Sequence, residues 1–516
     1  MDKVLILDFG SQTTQLIARR IREIGVYTEI ISGDTLHQDI DTQNVRGIIF
    51  SGSPYSVYSE DAPQLDPEIL SLPVPKLGIC YGLQRVTHDL GGTVERKHTR
   101  EFGRSRISFR IPHPLFHTIP DRFVSWMSHG DSLDRVADGF ELVAESENHH
   151  PACVWNERYN FTGIQFHPEV SHCEYGMKIL ENFVFEICQA KAEWSMERYV
   201  ELAGEDIRKK VKDRPVLLLI SGGVDSTVVG GLLLSALPAE QVHLMYIDTG
   251  LMRKGESERV ATTLASLGAK NLYLINAEDS FLPALAGVSD PEEKRRIIGD
   301  MFISVQEEEI AKRTIENSIL AQGTLYTDLI ESGKGVGTKA QVIKSHHNVR
   351  SPLVEKKRER GEIIEPLSLL YKDEVRALGL ALGIDQKIVG RHPFPGPGLG
   401  VRILGEVTKE KCDILRDADA IFIQELRLRN LYDKIWQAFC VLLPVRSVGV
   451  AGDAREYGYV LALRAIISAD GMTADVYPFE MQDILEISSI ITNKVHQIGR
   501  VVYDISSKPP ATIEWE

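Results

Sequence analysis

The chain has 516 residues, of which 43% are hydrophobic and 25% are charged, and its formal net charge is −15 at pH 7. This length favours about three domains, and the composition is typical of a globular protein. The negative charge argues against extended binding to nucleic acid or to an anionic membrane surface. No apolar run approaches the roughly 18 residues of a membrane-spanning helix. The first ten residues, MDKVLILDFG, show no signal-peptide pattern.

The cysteines form no CxxC pair and have no zinc-ligand spacing. In a chain of this size they indicate reduced thiols and therefore a cytoplasmic protein. They are Cys80, Cys153, Cys173, Cys188, Cys412 and Cys440.

Strand-like and helical patterns alternate from the N-terminus onwards. VLILDFG precedes the helical pattern TQLIARRIREIG, and YTEIIS, GIIFSGSP and KLGIC follow. Such alternation predicts a mostly parallel, doubly wound sheet over residues 1–189. The polar stretch CQAKAEWSME then marks a boundary.

A second alternating series contains VLLLI, VHLMYID, NLYLINA and SILAQGTLY, and it predicts a second doubly wound domain over residues 194–391. HPFPGPGLG, which starts at His392, interrupts any regular element with its prolines and glycines. Residues 392–516 are predicted to form a smaller α+β C-terminal domain. The predicted fold class is thus α/β, with two doubly wound, mostly parallel-sheet domains and this third domain.

The stretch GICYG at residues 78–82 has the spacing of a nucleophile elbow, in which a sharp strand-to-helix turn exposes the central side chain. The helix N-terminus behind Cys80 would favour a reactive thiolate. A buried structural cysteine is the alternative. Downstream, FHPE places His167 and Glu169 two residues apart, on one face of an extended segment. A surface His and Glu is the alternative for this pair.

Together, GICYGLQ and HPE resemble the class I glutamine amidotransferases. The resemblance implies that Cys80 attacks the carboxamide of glutamine, that His167 is the base and that Glu169 orients it. SGSP at residues 51–54 resembles the oxyanion loop of that family, which implies Gly52 and Tyr81 N–H groups as oxyanion donors, although Ser53 replaces a usual glycine. SHGD at 128–131 also fits the glutamine-binding surroundings of the family.

A third motif, LLLISGGVDST, has the pattern of a phosphate-binding loop between a strand and a helix N-terminus, but no Walker lysine is present. It resembles the pyrophosphate loop of the ATP pyrophosphatases, which cleave ATP between the α- and β-phosphates. The resemblance implies ATP binding and Mg²⁺ held with ATP by Asp225; a plain glycine-rich turn is the alternative. The implied ATP-binding residues are Ser221, Gly222, Gly223, Val224, Asp225, Ser226 and Thr227. Asp248 ends the next strand of the series, VHLMYID, at the carboxyl edge of the predicted sheet, and is therefore predicted to bind ATP near its ribose or adenine. For Asp248 the alternative is a helix N-cap.

Three basic stretches, SGKGVGTK, KSHHNVR and EKKRER, are interpreted as loop segments that could close over phosphates. For EKKRER, a solvated charge run is the alternative.

The segments HPFPGPGLGVR, GDAREYGYV, MTAD and KPPATIEWE resemble the glutamine-hydrolysing GMP synthase family. This resemblance implies glutamine, ATP and xanthosine 5′-monophosphate (XMP) as substrates and a homodimer formed by the C-terminal domain. It also implies XMP contacts from Lys508 and Glu514, and we add Arg391 as a phosphate contact.

The chain departs from the family pattern at Thr327, Arg350, Ser351, Glu456 and Gly471. Two other functions stay open: an amidotransferase of the same build with another acceptor, and a non-enzymatic nucleotide sensor. Intact Cys80 and SGGVDST argue against the sensor.

Overall fold

The computed structural model describes residues 1–315, 317–326, 328, 352–451, 454–468 and 473–516. They form two compact units, one of residues 1–199 and one of residues 200–326 together with residues from 352 onwards. Within the described ranges, no helix combines the length and the apolar character needed to span a bilayer.

The first unit is built on a nine-stranded sheet with the order β2-β1-β3-β4-β9-β8-β7-β5-β6. Strands β2, β1, β3, β4 and β9 are parallel, and the remaining pairings are antiparallel. The strands are β1 (Lys3–Asp8), β2 (Tyr27–Ser32), β3 (Val45–Phe50), β4 (Lys76–Ile79), β5 (Thr93–Phe109), β6 (Arg122–Arg135), β7 (Glu141–Ser146), β8 (Pro151–Asn156) and β9 (Phe161–Ile164).

Few helices accompany this sheet. Helix Thr14–Glu23 buries Ile17 and Ile21, one turn apart, as its periodicity predicts. The others are Tyr81–Asp89 and Gly176–Glu181, with a π-helical continuation at Asn182–Ile187. The predicted parallel strands are therefore confirmed, and β5 to β8 add an antiparallel half to the same sheet.

The second unit contains a five-stranded parallel sheet with the order β12-β11-β10-β13-β14. This order reverses between β10 and β13, which is the switch point where open α/β sheets bind ligands. The strands are β10 (Val216–Ile220), β11 (Val242–Asp248), β12 (Asn271–Asn276), β13 (Ile319–Ala321) and β14 (Ile363–Ile364). The helices are Met196–Val211, Val224–Ala236, Glu256–Ser266, Glu278–Ala284, Pro291–Lys312, Pro352–Glu359, Lys372–Ala381 and Gln386–Val389.

The C-terminal part of this unit is α+β, as predicted. Its four-stranded sheet pairs β15 with β16, and β16 with both β17 and β18. The strands are β15 (Gln437–Ala451), β16 (Ala454–Ile467), β17 (Asp475–Val476) and β18 (Ile498–Tyr503), and the helices are Lys409–Leu428 and Met481–Lys494.

One hydrophobic core joins the two parts of the second unit. It includes Leu217 of β10, Leu399 of the proline- and glycine-rich segment, Phe422 and Ile487. The second unit thus contains the predicted domains 194–391 and 392–516 together, and their boundary stays a prediction. The α/β fold class is confirmed by the sheets of both units.

Candidate functional site

Cys80 lies in the turn between β4 and helix Tyr81–Asp89, with a backbone φ of 52° and ψ of −103°. A positive φ is strained for a residue that carries a Cβ, and such strain is typical of functional turns. The flanking glycines make this turn possible. A Cβ on Gly82 would lie 2.4 Å from the carbonyl oxygen of Phe50, and one on Gly78 would lie 2.6 Å from the Phe161 ring.

Two backbone hydrogen bonds fasten this elbow to the neighbouring strands. The Cys80 N–H donates to the Ile164 carbonyl at 2.8 Å, and the Gly82 N–H donates to the Ser51 carbonyl at 3.1 Å. Strands β3 and β9 therefore fix where the Cys80 side chain emerges, at the carboxyl end of the parallel strands where α/β proteins place their sites.

His167 and Glu169 form a buried pair beside Cys80. His167 Nδ1 lies 2.7 Å from Glu169 Oε1, and the two residues are only 7% and 1% exposed. Burial alone would lower the pKa of His167. The Glu169 carboxylate and the hydrogen-bonded Cys80 outweigh burial, so the pKa of His167 stands well above its ordinary value. The structure thus brings together all three residues of the predicted triad.

The SGSP loop lies against the same histidine. A Cβ on Gly52 would stand 3.6 Å from Cε1 of the His167 ring. Ser53, the departure from the family pattern, accepts a hydrogen bond from the Tyr55 N–H at 3.3 Å and so forms a local turn. Tyr81 is buried, and its hydroxyl donates to the Pro63 carbonyl at 2.6 Å. Gly52 therefore lies beside His167, and Tyr81 directly follows Cys80 at the start of the helix.

Two buried glutamines beside Cys80 are not predicted by the motifs. The Gln165 side-chain amide donates to Cys80 Sγ, and Gln84 contacts Gln165 in turn. A usable signal was present, because Gln84 follows Cys80 by one helical turn and Gln165 precedes His167 by two residues in the strand-end segment.

In the second unit, Ser221 to Gly223 connect β10 to helix Val224–Ala236 at the switch point of the sheet, and the motif ends at Thr227 in the first turn of that helix. Gly222 has a φ of +76°, which allows the loop to turn. The hydroxyl groups of the motif form hydrogen bonds inside it. The Ser226 hydroxyl accepts from the Ser221 N–H, and the Thr227 hydroxyl donates to the Gly223 carbonyl at 2.8 Å. The predicted strand–loop–helix arrangement is present, with the helix N-terminus directed at the loop.

The Asp225 carboxylate pairs with Lys372, the first residue of helix Lys372–Ala381. The motif itself lacks a lysine, and this cation arrives from 147 positions further along the chain. Gly323, which follows β13 across the switch point, also lies next to Asp225, because a Cβ on Gly323 would stand 3.4 Å from Asp225 Cβ.

Asp248 lies at the carboxyl end of β11. It accepts hydrogen bonds from the Gly250 N–H at 2.9 Å and from the Ser257 hydroxyl at 2.5 Å. The following helix begins at Glu256 with Gly255 as its N-cap, so the alternative in which Asp248 caps that helix is wrong.

Arg391 directly contacts the loop that contains Gly222. Its guanidinium donates to the Gly222 carbonyl and lies 3.3 Å from Oε1 of the buried Glu256. The structure therefore places Arg391 at this loop, and Glu256 is a partner that no motif predicts.

The C-terminal segment is held by buried cations. Arg402 Nε and Nη2 donate to both carboxylate oxygens of Glu514, at 3.1 Å and 2.8 Å. The Gln437 amide also donates to Glu514 at 2.8 Å, and Lys508 exchanges backbone hydrogen bonds with Ala474. Glu514 and Lys508 thus belong to an ordered part of the second unit.

The three basic stretches differ in whether the structure describes them. SGKGVGTK and KSHHNVR lie outside the described residues, as do Thr327, Arg350, Ser351 and Gly471. EKKRER contributes to helix Pro352–Glu359, where Lys357 is buried and donates to the Ser318 carbonyl at 2.5 Å. Lys357 therefore belongs neither to a loop that closes over phosphates nor to a solvated charge run.

A metal ion was predicted only through Asp225. Over the ranges that the structure describes, no group of three His, Cys, Asp or Glu side chains could hold a metal. A single carboxylate nonetheless suits Mg²⁺, which usually takes one or two protein carboxylates together with substrate phosphates.

Two family models match the chain: glutamine amidotransferase class-I over residues 5–187, and GMP synthase C terminal domain over residues 424–515. The chain is 49% identical to a GMP synthase [glutamine-hydrolyzing] of Enterococcus faecalis, over 100% of this chain and 98% of that protein. It is also 49% identical to a protein of the same name from Bdellovibrio bacteriovorus, over 99% of each.

Among solved structures, a glutamine amidotransferase of Thermotoga maritima aligns with a TM-score of 0.29 and 21% identity, over 40% of this chain and 85% of that one. The sequence relationship, which extends over the full chain, shows the family. This chain belongs to the glutamine-hydrolysing GMP synthases.

Proposed function

We propose that Cys80, His167 and Glu169 hydrolyse the glutamine that supplies nitrogen for GMP synthesis. Cys80 gives its thiol proton to His167 as Sγ attacks the carboxamide carbon, the C–N bond breaks, and ammonia leaves with that proton. Water then attacks the thioester and gives its proton to His167, which releases glutamate and restores the thiol. The buried contact between His167 and Glu169, 2.7 Å from Nδ1 to Oε1, carries this assignment because it orients the imidazole and stabilises the protonated form that gives its proton to the leaving ammonia.

The tetrahedral intermediate of this reaction carries a negative oxygen. We assign its stabilisation to the backbone N–H groups of Gly52 and Tyr81, which come from the loop and the helix start beside the triad. The closeness of Gly52 to the His167 ring supports this assignment.

The second reaction is assigned to the loop Ser221–Thr227. The C2 oxygen of XMP attacks the α-phosphate of ATP, pyrophosphate leaves, and ammonia then displaces AMP to give GMP. The loop N–H groups and hydroxyls would bind the leaving pyrophosphate, and Asp248 would contact the adenosine part at the same sheet edge. The internal hydrogen bonds of the loop support this role because they fix the loop conformation before an anion binds.

Mg²⁺ bound with ATP would be held by Asp225 and would offset the charge of the phosphates. Lys372 is then a second cation at the same carboxylate. The exposed part of the Asp225 side chain, 29%, leaves room for both partners.

We assign XMP binding to Arg391, Lys508 and Glu514, and the surroundings of Glu514 support an anionic ligand. Arg253 and Arg402 both lie on the Phe394 ring, at 4.7 Å and 5.1 Å from its centroid. Each has at least one buried nitrogen without a hydrogen-bond partner among the described residues, and Arg253 Nε lies 3.6 Å from Asp419 Oδ2. Burial and the neighbouring Arg402 lower the pKa of Arg253, while Asp419 opposes them. A nucleotide phosphate would stabilise such a pair of cations.

The homodimer is assigned to the long β15–β16 hairpin and β18. Their outer surface exposes apolar side chains that a monomer would leave in water. These are Val445, Val448, Val450, Tyr457 and Val502, with exposures from 38% to 79%. A second copy of the chain is the partner that fits, since the face is apolar. The buried, unpaired state of all six cysteines supports a cytoplasmic location.

The test is GMP formation from XMP, ATP and glutamine by the purified full-length chain, with AMP, pyrophosphate and glutamate measured in the same reaction. The assignment expects equal amounts of GMP, AMP and pyrophosphate. If XMP does not stimulate pyrophosphate release but another nucleotide does, the acceptor assignment is wrong and the amidotransferase with another acceptor takes its place.

A further inference from the structure

The sulfur of Cys80 has a second polar neighbour besides His167. Gln165 Nε2 lies 3.6 Å from Cys80 Sγ, within the distance of an N–H···S hydrogen bond. Gln165 is 1% exposed and directly follows β9, to whose last residue, Ile164, the Cys80 N–H also donates. The amide and the sulfur are therefore held by the same strand end.

The direction of the Gln165 amide is fixed by a second glutamine. Gln84 Nε2 donates to the Asp131 carbonyl at 2.8 Å and to Gln165 Oε1 at 3.2 Å. A carbonyl only accepts, so Gln84 must present its NH₂ group, and Gln165 must present its oxygen to Gln84. The NH₂ group of Gln165 is then the end that faces the sulfur.

This relay consists of groups that water does not reach. Gln84 is 4% exposed and lies one turn into the helix that begins after Cys80, where its N–H donates to the Cys80 carbonyl at 3.1 Å. Buried amides are costly unless they are hydrogen-bonded. A flip of Gln165 would leave two donors face to face, and a flip of Gln84 would set its oxygen against the Asp131 carbonyl and Gln165 Oε1. The fold therefore fixes the direction of these hydrogen bonds, from Gln84 to Gln165 and from Gln165 to Cys80 Sγ.

We propose that Gln165 is a catalytic residue of glutamine hydrolysis that holds the reacting sulfur of Cys80 in its attacking position, and that Gln84 is a positioning residue that aims the Gln165 amide. The inference rests on the proposed role of Cys80. His167 and Gln165 contact the sulfur as two separate groups, which restricts rotation about the Cα–Cβ bond of the strained elbow. A fixed nucleophile raises the rate of attack without adding a contact to the bound glutamine.

The test is steady-state glutamine hydrolysis by the full-length chain with XMP and ATP present, for Gln165→Met, Gln84→Met and the double variant. Methionine keeps the length and apolar stem of glutamine but cannot donate. Gln165→Met is expected to lower kcat roughly 10- to 100-fold, the range for a hydrogen bond to a charged group, with KM for glutamine within about twofold. Gln38→Met, at an exposed position, is the matched control.

The double variant separates a relay from packing. If Gln84 acts only through Gln165, the kcat of the double variant equals that of Gln165→Met, and the two effects are not additive. Additive losses would overturn the relay, as would a loss that appears in KM alone. Ammonia-dependent synthesis and thermal unfolding check that each variant is folded. Should Gln165→Met fail to fold, Gln84→Met decides, and a wild-type kcat there overturns the proposal.

The failure of this inference is distinguishable from that of the proposed function. If Cys80→Ala still hydrolyses glutamine, the role of Cys80 is wrong. If Cys80→Ala is inactive and Gln165→Met keeps kcat within about twofold of the wild type, only the role of Gln165 is overturned.

Discussion

Lys372 Nζ lies 2.5 Å and 2.7 Å from the two carboxylate oxygens of Asp225, in the loop assigned to pyrophosphate. The loop has no Walker lysine, and a cation from the start of another helix stands beside it instead. A lysine in this position can pair with the pyrophosphate as it leaves the α-phosphate. A Walker lysine instead contacts the β- and γ-phosphates while they are still part of the bound nucleotide.

Lys372→Met is expected to reduce XMP-dependent pyrophosphate release by at least about tenfold, because a charged hydrogen bond to the leaving group is lost. Lys372→Arg, which keeps the charge, should recover part of this loss.

Asp225→Asn should abolish amination from both glutamine and ammonia, since adenylation precedes both. Pyrophosphate release measured at saturating XMP checks each variant, and wild-type rates in Lys372→Met would rule out the cation's role.

Glu169→Gln is expected to change the pH profile of glutamine hydrolysis. Burial lowers the pKa of His167, and the Glu169 carboxylate more than offsets this effect. Without that charge the pKa of His167 falls, because burial is then opposed only by the contact with Cys80. The proton for the leaving ammonia is then lost at lower pH, so the alkaline limb of kcat moves to lower pH.

The same pKa change has a stability consequence of known sign. In the wild type the folded pKa of His167 exceeds the unfolded one, so the pair stabilises fully below about pH 6.5 and less as pH rises through the folded pKa. Glu169→Gln should remove this dependence, which chemical denaturation at several pH values can measure. Glu60→Gln, an exposed substitution of the same kind, is the control, and an unchanged profile in Glu169→Gln contradicts the assignment.

Gly82→Ala is expected to destabilise the first unit and to reduce glutamine hydrolysis. The added Cβ would lie 2.4 Å from the Phe50 carbonyl oxygen, so the helix behind Cys80 must move. Overpacking of this kind costs about 1–3 kcal/mol. Gly299→Ala is the matched control, because Gly299 also lies in a helix but has no atom within 4 Å of the added Cβ. Thermal unfolding should separate the two variants; equal melting temperatures would contradict the tight fit at the elbow.

The two carboxylates of the C-terminal tail are expected to differ in function. Glu514 pairs with Arg402 in the assigned XMP site, whereas Glu516 pairs with the buried Lys294 at 2.6 Å. Glu514→Gln should weaken XMP binding in calorimetry, and Glu516→Gln should mainly lower stability, by about 3–5 kcal/mol for a broken buried pair. Removal of residues 508–516 should impair synthesis more than glutamine hydrolysis. Unchanged XMP affinity in Glu514→Gln would make the tail purely structural.

Local motifs explain why the amidotransferase residues are readable from the sequence. The elbow needs only the five residues of GICYG, and His167 and Glu169 are two positions apart, so short-range geometry determines their arrangement. The parallel strands are equally readable, because each is a short apolar run followed by a turn. Strands β5 to β8 carry many charged and polar residues, such as those in RKHTREFGRSR, and their pairing depends on the rest of the sheet.

The partners in contacts across long sequence distances are not predicted by the motifs. Lys372 meets Asp225 because two helices pack side by side, and the Gln84–Gln165 contact joins residues 81 positions apart. Lys357 shows the limit of charge patterns: burial against the Ser318 carbonyl also lowers the pKa of its amine, within a run that reads as solvent-exposed. In each case tertiary packing, not local propensity, determines the partner.

We propose that one chain releases ammonia at Cys80 and uses it at a separate nucleotide site. The most direct measurement compares Cys80→Ala with the wild type in GMP formation from XMP and ATP, with glutamine or with ammonium as the nitrogen donor. Cys80→Ala is expected to lose all glutamine-dependent synthesis and to keep most ammonia-dependent synthesis, because the thiol only liberates ammonia. Equal loss with both donors, or wild-type synthesis from glutamine, would contradict the claim.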